Sequence, residues 1–179
     1  QIGNPGTDII AGLTMDKAHN LWMSNYSAPA QLVVKKADGS WRNFSFPYPV
    51  SEKSAGQLLV DDEGQIWMIA PRGIGLFVLN TQQTIDDPTD DVMRLLTTGA
   101  GNGNLPNNNI MSIAKDRNGK IWVGTSDGIA IYNCPESVCT SAGCDAELKI
   151  VKYDLNAGLL FQREIVNTIA VDGANNKWI

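Results

Sequence analysis

Residues 115–122 read KDRNGKIW, with Asp116 six positions ahead of Trp122. The same frame recurs as Asp16/Trp22 in MDKAHNLW, Asp61/Trp67 in VDDEGQIW and Asp172/Trp178 in VDGANNKW. The copies are spaced 45, 55 and 56 residues apart. An Asp, a small or polar turn and a Trp held in one register four times mark a stacked repeat.

Working outward, each frame is flanked by alternating runs. Ahead of it lie Ile110–Lys115 (IMSIAK) and Ile165–Val171 (IVNTIAV). After it come Ile121–Thr125, a turn at Asp127-Gly128, and Ile129–Tyr132. The second repeat gives Ile66–Ile69, a turn at Arg72-Gly73, and Gly75–Leu79. Counted from the tryptophans, Gly73 matches Gly128 and Phe77 matches Tyr132. Short period-2 runs broken by Asp-Gly-type turns predict antiparallel strands joined by hairpins. A fourth, variable strand is expected near Trp41–Phe46, Val92–Leu96 and Leu148–Asp154. Four strands in about 50 residues make one propeller blade. The expected fold is therefore all-β. It is a β-propeller of four-stranded antiparallel blades, here an incomplete ring of about three and a half. The blades fall near 7–51, 52–107 and 108–162, with a partial one at 163–179, all in one domain.

The frame has a physical cause. Asp16, Asp61, Asp116 and Asp172 end first strands, where a carboxylate accepts backbone N–H groups of the following turn. Gly64 and Gly119, three residues before their tryptophans, stand where the turn needs positive φ. His19 and Asn175 hold the same place in the other copies. Trp22, Trp67, Trp122 and Trp178 are large flat wedges suited to the space between blades. The first three are expected to be largely buried. All eight residues read as structural.

The chain has 179 residues, 43% hydrophobic and 18% charged, which suits a soluble domain with a sizeable core. A net charge of −5 argues against nucleic acid and anionic membrane surfaces as partners. No apolar run approaches the ~20 residues of a membrane-spanning helix. The start, QIGNPGTDII, has neither the basic region nor the apolar stretch of a signal peptide. The sequence stops at Trp178-Ile179, where the other repeats have just begun a second strand. The expectation is a segment of a longer protein, with strand edges and apolar faces that recruit other chains.

Chemistry has few footholds. Cys134, Cys139 and Cys144 cluster in one loop. Three thiolates can ligate zinc, but a fourth ligand and a tight C-x₂-C knuckle are missing. A disulfide pinning a surface loop is favoured, which implies export and leaves one cysteine over. Thr84–Asp91 carries four carboxylates without the glycine and spacing of a calcium loop. The Gly/Asn-rich loop 97–109 lacks a P-loop lysine and opens no helix, so it reads as a blade-to-blade connection. His19 is the only histidine, and no Ser/His/Asp or Cys/His set can be assembled around a second one. The expectation is no catalytic, cofactor-binding or metal residues, and no enzyme. Trp41, Phe44, Phe46 and Tyr48 alternate as a packed outer strand does, although aromatics so placed can stack a sugar or a peptide.

The full repeat, Ile110 to Tyr132 (IMSIAKDRNGKIWVGTSDGIAIY), resembles the two-component regulator propeller repeat of periplasmic sensor propellers in hybrid histidine kinases, chiefly of Bacteroidetes. Residues 20–46 and 144–179, with VDGANNKW and the CDAE after the cysteine loop, resemble the second propeller of the PorZ-like family of the type IX secretion system. That resemblance implies an exported, non-enzymatic protein at the periplasm or outer-membrane surface. Its partners would be other protein subunits of a secretion or signalling complex, and anionic lipopolysaccharide. It implies no cofactor. It also favours Cys134 and Cys144 as bridge ends, leaving Cys139 over. Cys139 is expected to be exposed and free, with Cys139–Cys144 as the rival pair because its short loop can also close. The alternative implied function is a ligand-sensing propeller of a two-component receptor.

Overall fold

The computed structural model describes residues 9–26, 30–47, 55–153 and 156–179. Tyr48, Asp154 and the outer limits of the first expected blade lie outside these. The alternating runs become antiparallel strands. The first sheet holds β1 (Ile9–Met15), β2 (Leu21–Tyr26), β3 (Leu32–Lys35) and β4 (Trp41–Phe44), in that order. The second holds β5 (Leu58–Val60), β6 (Ile66–Ala70), β7 (Gly75–Asn80) and β8 (Val92–Leu96). The third holds β9 (Ile110–Lys115), β10 (Ile121–Thr125) and β11 (Gly128–Tyr132). Two small hairpins follow, β12 (Ile150–Tyr153) with β13 (Asn156–Leu159), and β14 (Ala170–Val171) with β15 (Lys177–Trp178).

First strands of successive units are neighbours: β1 packs on β5, β5 on β9, and β9 on β14. The described blades therefore turn about a common axis lined by first strands, in a ring that is not closed. Polar side chains on or just before these strands tie the blades together. Gln57 donates to the Ile113 carbonyl at 3.0 Å and accepts from the Ile113 N–H at 3.2 Å. Ser112 donates to the Val166 carbonyl at 3.2 Å.

Register corrects the count made from the tryptophans. Trp67 pairs with Val78, whereas Trp122 pairs with Ile131. Leu79, rather than Phe77, thus corresponds to Tyr132, because the turn after β6 is longer than the turn after β10. Likewise Gly75, rather than Gly73, corresponds to Gly128. Gly75 pairs with Ala70 at φ +129°, and Gly128 pairs with Thr125 at φ +95°. A Cβ on Gly75 would collide with the Leu96 carbonyl, and one on Gly128 would lie 3.0 Å from the Leu160 carbonyl. Passing backbone sets these glycines.

The third unit also departs from expectation. Its fourth strand is a single bridge, Glu147 to Ile131, with bonds of 3.0 and 2.8 Å. The Asp145 carboxylate is anchored by the N–H groups of Gly101 at 2.7 Å and Gly103 at 2.9 Å. Ala146 N–H donates to the Gly103 carbonyl at 3.0 Å. The chain is thereby held to the Gly-rich loop, touches β11 once, and then pairs locally as β12–β13.

The core lies between blades. Trp22 and Phe44 pack with Leu58, Ile66, Met68 and Phe77 of the second unit. Trp67 packs with Ile113, Ile121 and Tyr132 of the third, its ring centroid 5.2 Å from that of Tyr132. Ile129 and Ile131 meet Val166 and Ile169, with Trp122 only partly buried beside them. β6 and β7 are consequently buried on both faces. The outer aromatics behave as strand packing. Phe46 stacks on Phe77 at 4.5 Å, while Trp41 stays 49% exposed under Lys35.

Trp67 is fully buried and Trp178 is 64% exposed. Trp67→Ala should cost about 3–5 kcal/mol in chemical denaturation, and Trp178→Ala much less. Equal losses would contradict the interblade role of the indole.

Candidate functional site

The four Asp–Trp frames fold alike. In the first, Asp16 Oδ1 accepts the N–H groups of Ala18 at 2.9 Å and Asn20 at 2.8 Å. Its Oδ2 accepts the Asn20 side-chain amide at 2.8 Å and the Trp22 indole N–H at 2.9 Å. Asp61 is held by Glu63, Gln65 and Trp67 in the same way. Asp172 is held by Ala174, Asn176 and Trp178. Asp116 accepts the backbone N–H groups of Asn118 and Lys120 and the Trp122 indole N–H, but position 120 offers no side-chain amide. Lys177 of the next frame fills the gap, its ammonium 3.0 Å from Asp116 Oδ2 and 5.2 Å from the Trp122 ring centroid. His19, Gly64, Gly119 and Asn175 all have positive φ, between 65° and 85°.

The indole bond and the amide four residues after the Asp were not anticipated from sequence. Their signal is present, since Asn20, Gln65 and Asn176 occupy one register. The bonds also set the charge state of Asp16, Asp116 and Asp172. Burial raises the Asp16 carboxyl, but bonds from Trp22, Asn20 and Ala18 outweigh it and leave its pKa below the ordinary aspartate value. Asp116 is shifted down likewise, burial being outweighed by Lys177, Trp122 and two backbone donors. The Asn176 bonds, with Trp178, pull Asp172 down to about 2.

Successive turns form a belt. Lys17 donates to the Asp62 carbonyl at 2.7 Å, and Lys115 pairs with the Asp62 carboxylate at 2.7 Å. Arg117 N–H donates to Asn175 Oδ1 at 2.9 Å. Between the first two blades this rim opens into a cleft of about 470 Å³, bordered by Asn20, Trp22, Val60, Glu63, Thr81 and Ile85. Between the next two it narrows to about 140 Å³, where Pro135 and Glu136 stand over the Asp61 turn.

The cysteine loop contains a Cys134–Cys144 disulfide with Cα atoms 5.8 Å apart. Cys139 is unbridged, but it is buried rather than exposed, within the Trp67–Tyr132 cluster. Its side chain supplies apolar volume under a loop that the disulfide folds back over β8. Burial pushes its thiol up to about 11. The acidic loop is tied to the first blade by Lys36–Asp86 and Arg42–Asp91, both at 2.6 Å. Among the described residues no three His, Cys, Asp or Glu side chains converge as metal ligands. His19 is exposed in its turn.

Residues 104–127 match the family model of the two component regulator propeller. The chain carries a propeller repeat. No curated protein matches the chain. Among solved structures, PorZ of Porphyromonas gingivalis, an essential bacterial surface component of its type IX secretion system, is 22% identical with a TM-score of 0.82. That likeness covers 98% of this chain and 25% of PorZ. The extracellular domain of the putative hybrid two component system BT3049 from B. thetaiotaomicron is 19% identical, TM-score 0.57, covering 94% of this chain and 20% of the other. Virginiamycin B lyase from Staphylococcus aureus is 15% identical, TM-score 0.60, covering 96% and 51%. At these identities the likeness establishes the propeller fold, and the chain spans about a quarter of PorZ. No described helix is long and apolar enough to cross a membrane.

Two outcomes follow for the propeller. Carboxylates whose folded pKa is depressed lend stability above the ordinary aspartate value near 4, and that stability is lost as pH falls through the folded value. Tryptophan fluorescence at fixed denaturant should therefore report unfolding between about pH 4 and 2. An acid-insensitive midpoint would contradict the carboxylate clasp at Asp16, Asp116 and Asp172. Cys139, buried and with a raised pKa, should resist thiol reagents at neutral pH until the chain unfolds. Rapid labelling of the native protein would show that the loop opens.

Proposed function

We propose that this chain is a non-enzymatic binding scaffold of an exported propeller protein, working in type IX secretion or cell-surface attachment. The observation that carries this reading is the match to PorZ along 98% of the chain at a TM-score of 0.82. The Cys134–Cys144 bridge fits an oxidising compartment. A non-catalytic role is supported by where the acids lie. The frame aspartates are each engaged by turn and indole donors, with Lys177 added at Asp116, and His19 is a turn residue. Virginiamycin B lyase, by contrast, is inactivated by replacing a histidine.

The partners under this reading are other protein subunits of the machinery. With a net charge of −5, contact with anionic lipopolysaccharide would run through its sugars or a bridging partner rather than direct charge pairing. A second reading, a ligand-sensing propeller of a two-component receptor, is favoured by the family match at 104–127 and the likeness to BT3049. Deleting the gene separates the two. Loss of surface-attached cargo, with antibody labelling of the protein on intact cells, is expected for the scaffold. Intact cargo attachment with a lost transcriptional response to an external ligand would select the sensor.

A further inference from the structure

We infer that the cleft between the first two blades is a docking site for an extended, cationic peptide segment of a protein partner. The inference rests on the scaffold reading above. Its warrant is an internal precedent at the next blade junction. There, Gln65 is fully buried and its side-chain amide donates twice, to Asp61 Oδ2 at 2.7 Å and to the Pro135 carbonyl at 2.8 Å. The Cys134–Glu136 segment thus lies across the Asp61 turn, where Pro135 and Glu136 border a cleft of only about 140 Å³.

Asn20 is the counterpart of Gln65. It is 8% exposed, and its amide donates to Asp16 Oδ2 at 2.8 Å. Its Oδ1 accepts the Ala37 N–H at 2.9 Å, and no second acceptor is recorded for its Nδ2 among the described residues. Strand register aligns Gln82 with Pro135, because Leu79 and Tyr132 face Ile66 and Ile121. The segment there does not cross the cleft. It closes a tight turn instead, Thr84 N–H donating to the Thr81 carbonyl at 2.8 Å, with φ of 48° and 66° at Gln82 and Gln83. The result is the larger cavity, about 470 Å³ against 140 Å³, floored by Trp22 and Val60.

Charge sets the ligand class. Asp16, Asp61, Asp62 and Glu63 border the cleft against Lys17 alone. Lys17 is engaged by the Asp62 carbonyl and Asp62 by Lys115, whereas no ion pair to Glu63 is recorded among the described residues. A segment presenting a carbonyl to Asn20 and a Lys or Arg to Glu63 satisfies both.

The test uses fluorescence anisotropy on the intact protein. The probe is a labelled peptide, Asn-Ser-Pro-Lys-Ser, patterned on residues 133–137 with Ser for Cys134 and Lys for Glu136. Saturable binding is expected. Ala18→Trp, which fills the cleft from an exposed turn, should weaken it by about tenfold or more. Glu63→Lys should reverse the preference toward the Glu-bearing peptide. Thermal melts would establish that both variants are folded. Absence of saturable binding, or binding indifferent to both substitutions, overturns the inference. If named secretion subunits still co-purify with Ala18→Trp as with the unaltered protein, the cleft fails as the dock while the scaffold reading stands.

Discussion

The structure depends on one carboxylate used in one way four times. Each frame aspartate ends a first strand and collects two backbone N–H groups, which the tight turn would otherwise leave unpaired. The same carboxylate then takes the indole N–H six residues on. A local turn device thereby fixes where a large apolar ring lies. At Trp22 and Trp67 the ring in turn fills the gap to the next blade, so turn chemistry and interblade packing are one constraint there. Where the third frame lacks the amide donor, Lys177 of the fourth supplies a charge instead, and the clasp itself crosses the junction.

Stacking explains the uneven burial. Leu58, Ile113 and Ile169 each stand three residues before a frame aspartate and are 4%, 1% and 7% exposed. Leu13 occupies the same register on β1 and is 58% exposed. No blade buries its own faces. Each relies on its neighbour, as repeat architectures do. Polar chemistry is mostly committed to this stacking, with Gln57, Ser112, Lys115 and Lys177 all bonding across junctions. Diversity is left to the turns and connecting loops, the usual carriers of recognition on a rigid scaffold. The disulfide loop shows how one such loop changes a junction, narrowing at the second interface what stays wider at the first.

The repeat was legible because its parts are local. Asp, positive-φ turn residue and Trp lie within seven residues, and turn chemistry at that range is dictated by the residues themselves. Strand alternation was equally plain, and with it the all-β blade architecture. The amide four residues after the aspartate was also in view, as Asn20, Gln65 and Asn176, although its partner could not be read from spacing alone. What sequence could not decide were matters of longer range. The extra turn residues after β6 broke the match of Phe77 to Tyr132, because backbone pairing, not distance from Trp67, sets register. Anchoring of Asp145 by Gly101 and Gly103 left the third unit a single bridge in place of a fourth strand. Cys139 went inside because the loop folds back onto the Trp67–Tyr132 cluster, a contact between segments some 70 residues apart. The rim cleft exists for the same reason: two turns of similar chemistry end in segments that the surrounding blades steer differently. Sequence determined the repeating unit, since hydrogen-bonding turns and period-2 strands are local. Only tertiary packing decided which junctions close and which side chains they hide.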